Sequence, residues 1–277
     1  MPDRQAASFA VASQLKWAGL LLGVALSGFF DGIVLHQLLQ WHHLLSAVEV
    51  APWRDLRMQI LADGAFHVLM YIVAVAGLVL LCKARRNFAL QGADRYLLAY
   101  TLTGFGAWNI LDAVVFHWIT GIHRIKMTSD QPLLWDLFWF FAFGVLFIAM
   151  GHAVKRGADA AGGASGRTPA AATSLGLLVA ASGALAALAP ANGGNDAVVV
   201  FRPGITAAQA FNAIGRIDGK VTWVDGAGAV WAIKLDQPAT AQALYRSGAL
   251  LVSRSAIGLG CLSWTRTAAH ASTARNT

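Results

Sequence analysis

The chain has 277 residues, of which 57% are hydrophobic and only 13% charged, with a mean hydropathy of +0.55 and a formal net charge of +7. This is too apolar for an ordinary soluble domain and indicates an integral membrane protein. Most of the basic residues flank the apolar segments, and no soluble stretch interleaves them with aromatics in a basic patch, so a nucleic-acid partner is not expected.

After an N-terminal segment, 1–16, apolar stretches occupy 17–40, 62–82, 96–119, 133–154 and 171–190. Each has about the length, roughly 20 residues, that crosses a hydrocarbon core. The first begins after Lys16, carries Asp31 and His36, and precedes no small-residue cleavage site, so a cleaved signal peptide is not expected. Arg4, Lys16, Lys83, Arg85, Arg86, Arg95, Lys155, Arg156 and Arg167 fall on one side of these stretches, and Arg54, Arg57, Arg124 and Lys126 on the other. The positive-inside rule then puts the N terminus in the cytoplasm of a bacterial inner membrane, and five crossings put everything beyond about residue 191 in the periplasm. Cys82 and Cys261 fall on opposite sides and cannot pair, and they offer no Cys-based zinc site.

The expected architecture is a four-helix transmembrane bundle at 17–155 and a Gly-rich cytoplasmic linker at 156–170. A fifth, tether-like helix at 171–190 and a small exported domain at 196–256 follow, and residues 257–277 read as a flexible tail. In the exported domain VVVFRPG, ITAAQAFNAIGRI, KVTWVD, AVWAIKL, PATAQALYRSG and ALLVSRS read as strand, helix, strand, strand, helix, strand, with Asp225-Gly226 marking a hairpin. That is the split βαβ order of ferredoxin-like α+β domains. Metal-chaperone domains of this order carry a CxxC after the first strand, where this chain has Arg202-Pro203-Gly204. A docking or regulatory module is the better expectation, with a periplasmic or membrane metalloprotein as a candidate partner.

The chemistry is concentrated in a motif that occurs twice, Asp31-His36-His42 and Asp112-His117-His123. Ionisable residues inside a membrane are costly and mark function by default. The second helix opens with Asp63 and the fourth with Asp136, so 17–82 and 96–154 read as two copies of one helical hairpin. Both copies enter from the cytoplasm, which makes a parallel repeat with an axis along the membrane normal. Counted from the basic residues that mark the cytoplasmic ends at 1.5 Å per residue, Asp31, Asp112 and His67 lie at one depth. His36, His117, Asp63 and Asp136 lie at a second depth, nearer the outer surface, and His42, His43 and His123 follow at the helix exits. Of the 8 histidines only His152 and His270 lie elsewhere. Trp41, Trp53, Trp118, Trp135 and Trp139 read as an interfacial belt at the same boundary.

Five residues on an ideal α-helix rotate a side chain by about 140°, so Asp31 and His36 do not both face the bundle axis. A wide π-turn at Gly32 aligns them; otherwise the Asp residues reach sideways as orienters of liganding imidazoles. His36, His67 and His117 are the leading metal ligands. Asp63 and Asp136 are ligands or bridging carboxylates, His42, His43 and His123 are further candidates, and Asp31, Asp112 and Asn109 stand behind them in supporting roles. Imidazole with carboxylate suits Zn²⁺, Cu²⁺ or non-haem iron, with a lean to copper because the site faces outward. A haem held non-covalently between His36 and His117 is a second option.

The segments GFFDGIVLHQLLQWHHLL, DGAFHVLMYIVAVAGLVLL, NILDAVVFHWITGIHRI and WDLFWFFAFGVLFIAMG resemble a bacterial family of predicted membrane proteins catalogued as domain of unknown function 2243. The resemblance covers about residues 15–155 and implies the membrane bundle and its Asp/His motifs. From the residues themselves, metal handling or delivery is the leading function, a membrane oxidoreductase with a dimetal or haem centre the first alternative, and proton- or ion-coupled transport the second.

Overall fold

A computed structural model describes residues 2–39, 41–50, 52–85, 92–160, 170–187, 196–235 and 241–253. The expected tail, most of the Gly-rich linker, Cys261 and His270 lie outside the described residues. The chain forms two compact units, one of Met1–Gly32 with Ala65–Leu185, the other of Ile33–Gly64 with Ala186–Thr277.

The helical elements are α1 (Pro2–Phe30) running into a π-helical stretch π1 (Asp31–Leu38), α2 (Leu56–Lys83), and α3 (Ala93–Leu111) running into π2 (Asp112–Ile119). They continue with α4 (Pro132–Trp139), π3 (Phe140–Val145), α5 (Leu146–Ala160) and α6 (Ala170–Ala187). The long apolar helices pack together. Ser13–His36, Leu56–Lys83 and Pro132–Asp159 are each long and apolar enough to cross a membrane, and Ala172–Leu185 is a shorter apolar helix. The outward faces of α2 and of the α4–α5 run are apolar as well: Val68, Leu69, Ile72 and Val75 on one, and Phe138, Phe141, Leu146 and Met150 on the other, are exposed. Such helices are apolar all round, which suits hydrocarbon.

In a bilayer helices associate through close packing, which favours small residues where backbones meet. Here α3 is the hub. On its α1 side a Cβ at Gly104 would strike the Leu20 backbone and one at Gly23 the Thr101 backbone. On its α5 side a Cβ at Gly151 would come within 2.6 Å of the Ala99 carbonyl oxygen. Nearer the site Asn109 Nδ2 donates to Ser27 Oγ (2.7 Å) and Trp139 Nε1 donates to Asn109 Oδ1 (2.8 Å), tying three helices together. Trp139 is therefore a buried packing residue at 5% exposure rather than a belt anchor, whereas Trp53 and Trp118 are exposed. The helix α6 is not a bare tether either, since Tyr71 Oη donates to the Gly183 carbonyl at 2.6 Å.

The C-terminal part has β1 (Asp196–Phe201), α7 (Ala207–Gly215), β2 (Lys220–Val224), β3 (Val230–Lys234), α8 (Ala241–Arg246) and β4 (Ala249–Ser253). The four strands form an antiparallel sheet in the order β2-β3-β1-β4. Thr206 and Gln209 form a capping box that starts α7. Asp225 Oδ1 accepts the N–H groups of Ala229 and Val230 and closes the β2–β3 turn. The unbroken apolar run of β1 is explained by burial on both faces. Ala197, Val199 and Phe201 pack with Ala210, Ile214 and Leu244 of the two helices, while Val198 and Val200 pack with Leu56 and Ile60 in the first turns of α2.

Candidate metal centres

The π-helical stretches π1 and π2 begin at the two motif carboxylates. A π-helix bonds each N–H to the carbonyl five residues back, so residues five apart stack on one face. The Asp-to-His spacing is five in both motifs, and the helix adopts the register that brings the pair together. His117 Nε2 lies 3.0 Å from Asp112 Oδ2. Both stretches end alike: Leu39 N–H donates to Val34 O and Thr120 N–H to Val115 O, five back, and Trp41 N–H donates to Leu35 O and Ile122 N–H to Phe116 O, six back. This widening carries the chain over into a loop that returns the second histidine to the helix end.

The result is two triads. Asp31, His36 and His42 form one and Asp112, His117 and His123 the other; within each, one ligand atom per residue can be chosen so that all lie within 4.8 Å of one another, and every member is buried. The ring centroids of His36 and His42 are 4.7 Å apart at 75°, and those of His117 and His123 are 4.7 Å apart at 72°.

A second carboxylate backs each triad. Asp136, fully buried, places Oδ1 3.0 Å from His117 Nδ1 and accepts the Ile125 N–H at 3.0 Å, while Arg124 Nη1 donates to Oδ2 at 2.8 Å. Asp63 does the same in the first hairpin, with Oδ1 3.4 Å from His36 Nδ1 and accepting the Leu44 N–H at 2.8 Å, and Oδ2 2.6 Å from His43 Nδ1. Each thus holds an imidazole and a loop backbone amide together. A buried carboxylate needs such donors.

Among the other sequence candidates, His67 is buried with its ring packed over Gly32, where a Cβ would come within 2.5 Å of His67 Nε2. His67 is not part of either triad. Asn109 is engaged by Ser27 and Trp139 and makes packing contacts between helices. Arg124 is the site residue that sequence reasoning missed, having been counted only as a topology charge. Its signal was present: it follows His123 as His43 follows His42.

Two imidazoles and one carboxylate form a three-ligand set that suits Zn²⁺ or Fe²⁺ and leaves coordination positions open. No triad donor is a thiolate or thioether, and nothing in the geometry singles out copper. A haem iron on His117 would have to displace a carboxylate from one of its two nitrogens, since Asp112 and Asp136 flank both.

A family model described as predicted membrane protein (DUF2243) matches residues 18–158. No curated protein and no solved structure matches the chain.

Proposed function

The chain belongs to this family of predicted membrane proteins, and from that premise we propose that it binds two divalent transition-metal ions, one in each helical hairpin, in the service of metal handling or delivery. The observation that carries the reading is the duplicated triad: a buried His/His/Asp set that recurs in full, together with its backing carboxylate, at two places in one chain. A purely structural polar pair would not need the same five-residue π register and the same loop return twice.

In this reading His36 and His42 with Asp31, and His117 and His123 with Asp112, are the ligands. Asp63 and Asp136 are the orienters, which reverses the roles that the α-helical offset of Asp31 and Asp112 from their histidines suggests for the carboxylates. The reversal rests on contacts: an imidazole in metal coordination commonly gives its other ring N–H to a carboxylate, and Asp63 and Asp136 stand at the Nδ1 atoms of His36 and His117. The hairpins then form a parallel repeat with the N terminus in the cytoplasm of a bacterial inner membrane. The sheet, whose strand order β2-β3-β1-β4 is that of a ferredoxin-like domain, lies in the periplasm.

An oxidoreductase is the second reading, favoured by the open coordination positions of a three-ligand set. Transport draws less support, because Leu15, Ala18, Leu22 and Ala25 make the buried face of α1 apolar from Leu15 to Ala25.

Metal analysis of the detergent-purified protein tests the proposal. Saturation at two ions per chain is expected, falling to one in His36→Ala and one in His117→Ala. Unchanged metal content in the double variant would overturn it.

A further inference from the structure

Aligned on their motifs, the two hairpins agree in Asp31/Asp112, His36/His117, His42/His123, Leu44/Ile125 and Asp63/Asp136, and they differ at two telling positions. Where the first has His43, its side chain 3% exposed and Nδ1 2.6 Å from Asp63, the second has Arg124, its side chain 36% exposed and Nη1 2.8 Å from Asp136. Four residues beyond the backing carboxylate the first hairpin has His67 and the second has Phe140.

We propose that the two sites are unequal, and that the second takes a small oxyanion, of the carboxylate or phosphate class, onto its metal beside Arg124, whereas the first is closed to one. This rests on the two-metal reading above.

Three observations carry it. A three-ligand metal needs at least one more donor. At the two differing positions the first hairpin has imidazoles, His43, whose ring centroid is 6.1 Å from that of His36, and His67, which lies outside the triad, whereas the second has an arginine, which cannot ligate, and a phenyl ring. Charge points the same way: a divalent ion with two carboxylates is neutral, and the permanent cation of Arg124 leaves the second site positive. A guanidinium pairs with oxyanions through its planar fork, and Arg124, in contact with Asp136 on one side and a third exposed, has an edge at the surface. The cover beside the two backing carboxylates also differs, although both triads are buried. Ile60, three residues before Asp63, is covered by Val198, Val200 and Val230 of the sheet, whereas the matching Leu133, three before Asp136, is 55% exposed.

The full-length protein loaded with Co²⁺ in detergent tests this, because the visible bands of Co²⁺ report its coordination. His36→Ala leaves the second site and His117→Ala the first. Titration with sodium phosphate and, separately, sodium acetate in a non-coordinating buffer is expected to shift the spectrum saturably in His36→Ala and not in His117→Ala. A response to one of the two salts alone assigns the oxyanion class. Adding Arg124→His to His36→Ala is expected to weaken the anion by about tenfold or more per bound Co²⁺, and Arg124→Lys to restore most of it. Equal responses at both sites, no response at either, or an undiminished response with Arg124→His would overturn the inference while leaving two-metal binding intact. Failure of both single variants to bind Co²⁺ would overturn the two-metal reading and this inference with it.

Discussion

At the scale of single residues the two-metal reading gives the two carboxylates of each site different duties, and the difference can be measured. On the His36→Ala background, which isolates the second site, Asp112→Ala is expected to abolish metal binding because it removes a ligand. Asp136→Asn is expected to keep the ion but to weaken it by about 10–100-fold, the usual effect of losing a carboxylate behind a liganding histidine. Competition with a chelator of known affinity reads both, and the opposite order would restore the roles that the α-helical offset suggested. The offset was a poor guide here for a physical reason. It assumes an α-helical turn, which Asp31–Leu38 and Asp112–Ile119 do not keep, and it says nothing of a loop that folds back. The contacts of Asp136 with Arg124 and with the Ile125 amide come from that fold-back, at positions where hydropathy is silent.

At the scale of elements the five-residue spacing was the informative feature, because on an α-helix it is a conflict and on a π-helix it is a match. The wide turn expected at Gly32 is instead a full stretch, Asp31–Leu38, and it recurs at Asp112–Ile119. A third such stretch, Phe140–Val145, has no ionisable residue and no spacing signal, so nothing in the sequence marked it. The strands and helices of the C-terminal part were legible, since alternation, turn residues and the capping box are local signals; that the second face of its sheet covers Leu56 and Ile60 was not, because that contact is long-range. The helix contacts make their own prediction. Gly104→Val must push against the Leu20 backbone, which cannot yield as a flexible side chain can, and overpacking of this kind costs about 1–3 kcal/mol or more. Gly157→Ala meets nothing within 4 Å and is expected to change stability by no more than about 1 kcal/mol. Thermal unfolding in detergent separates the two, and equal midpoints would refute the backbone contact of α1 with α3.

At the scale of the whole molecule, the two-metal reading links metal and fold. Each triad joins a helix end to its following loop, so an ion bound there stabilises the native state over the unfolded one. At free metal about 100-fold above Kd the gain is about 2.7 kcal/mol per site. The midpoint of thermal unfolding is therefore expected to rise on adding Zn²⁺, to fall back with chelator, and to stay fixed in the His36→Ala/His117→Ala double variant. A shift in that variant equal to the wild type would place the ion elsewhere.

Every group of the second site comes from the stretch between Asp112 and Asp136, and the first triad with its backing carboxylate lies between Asp31 and Asp63. Among the described residues neither borrows a ligand atom from the other hairpin. On the two-metal reading an order of synthesis follows: once α2 has been made, the first centre would have all its groups and could capture its ion while α4 is still being translated. Maturation would then run in two separate acts, and a chain stalled between them would carry one metal rather than none.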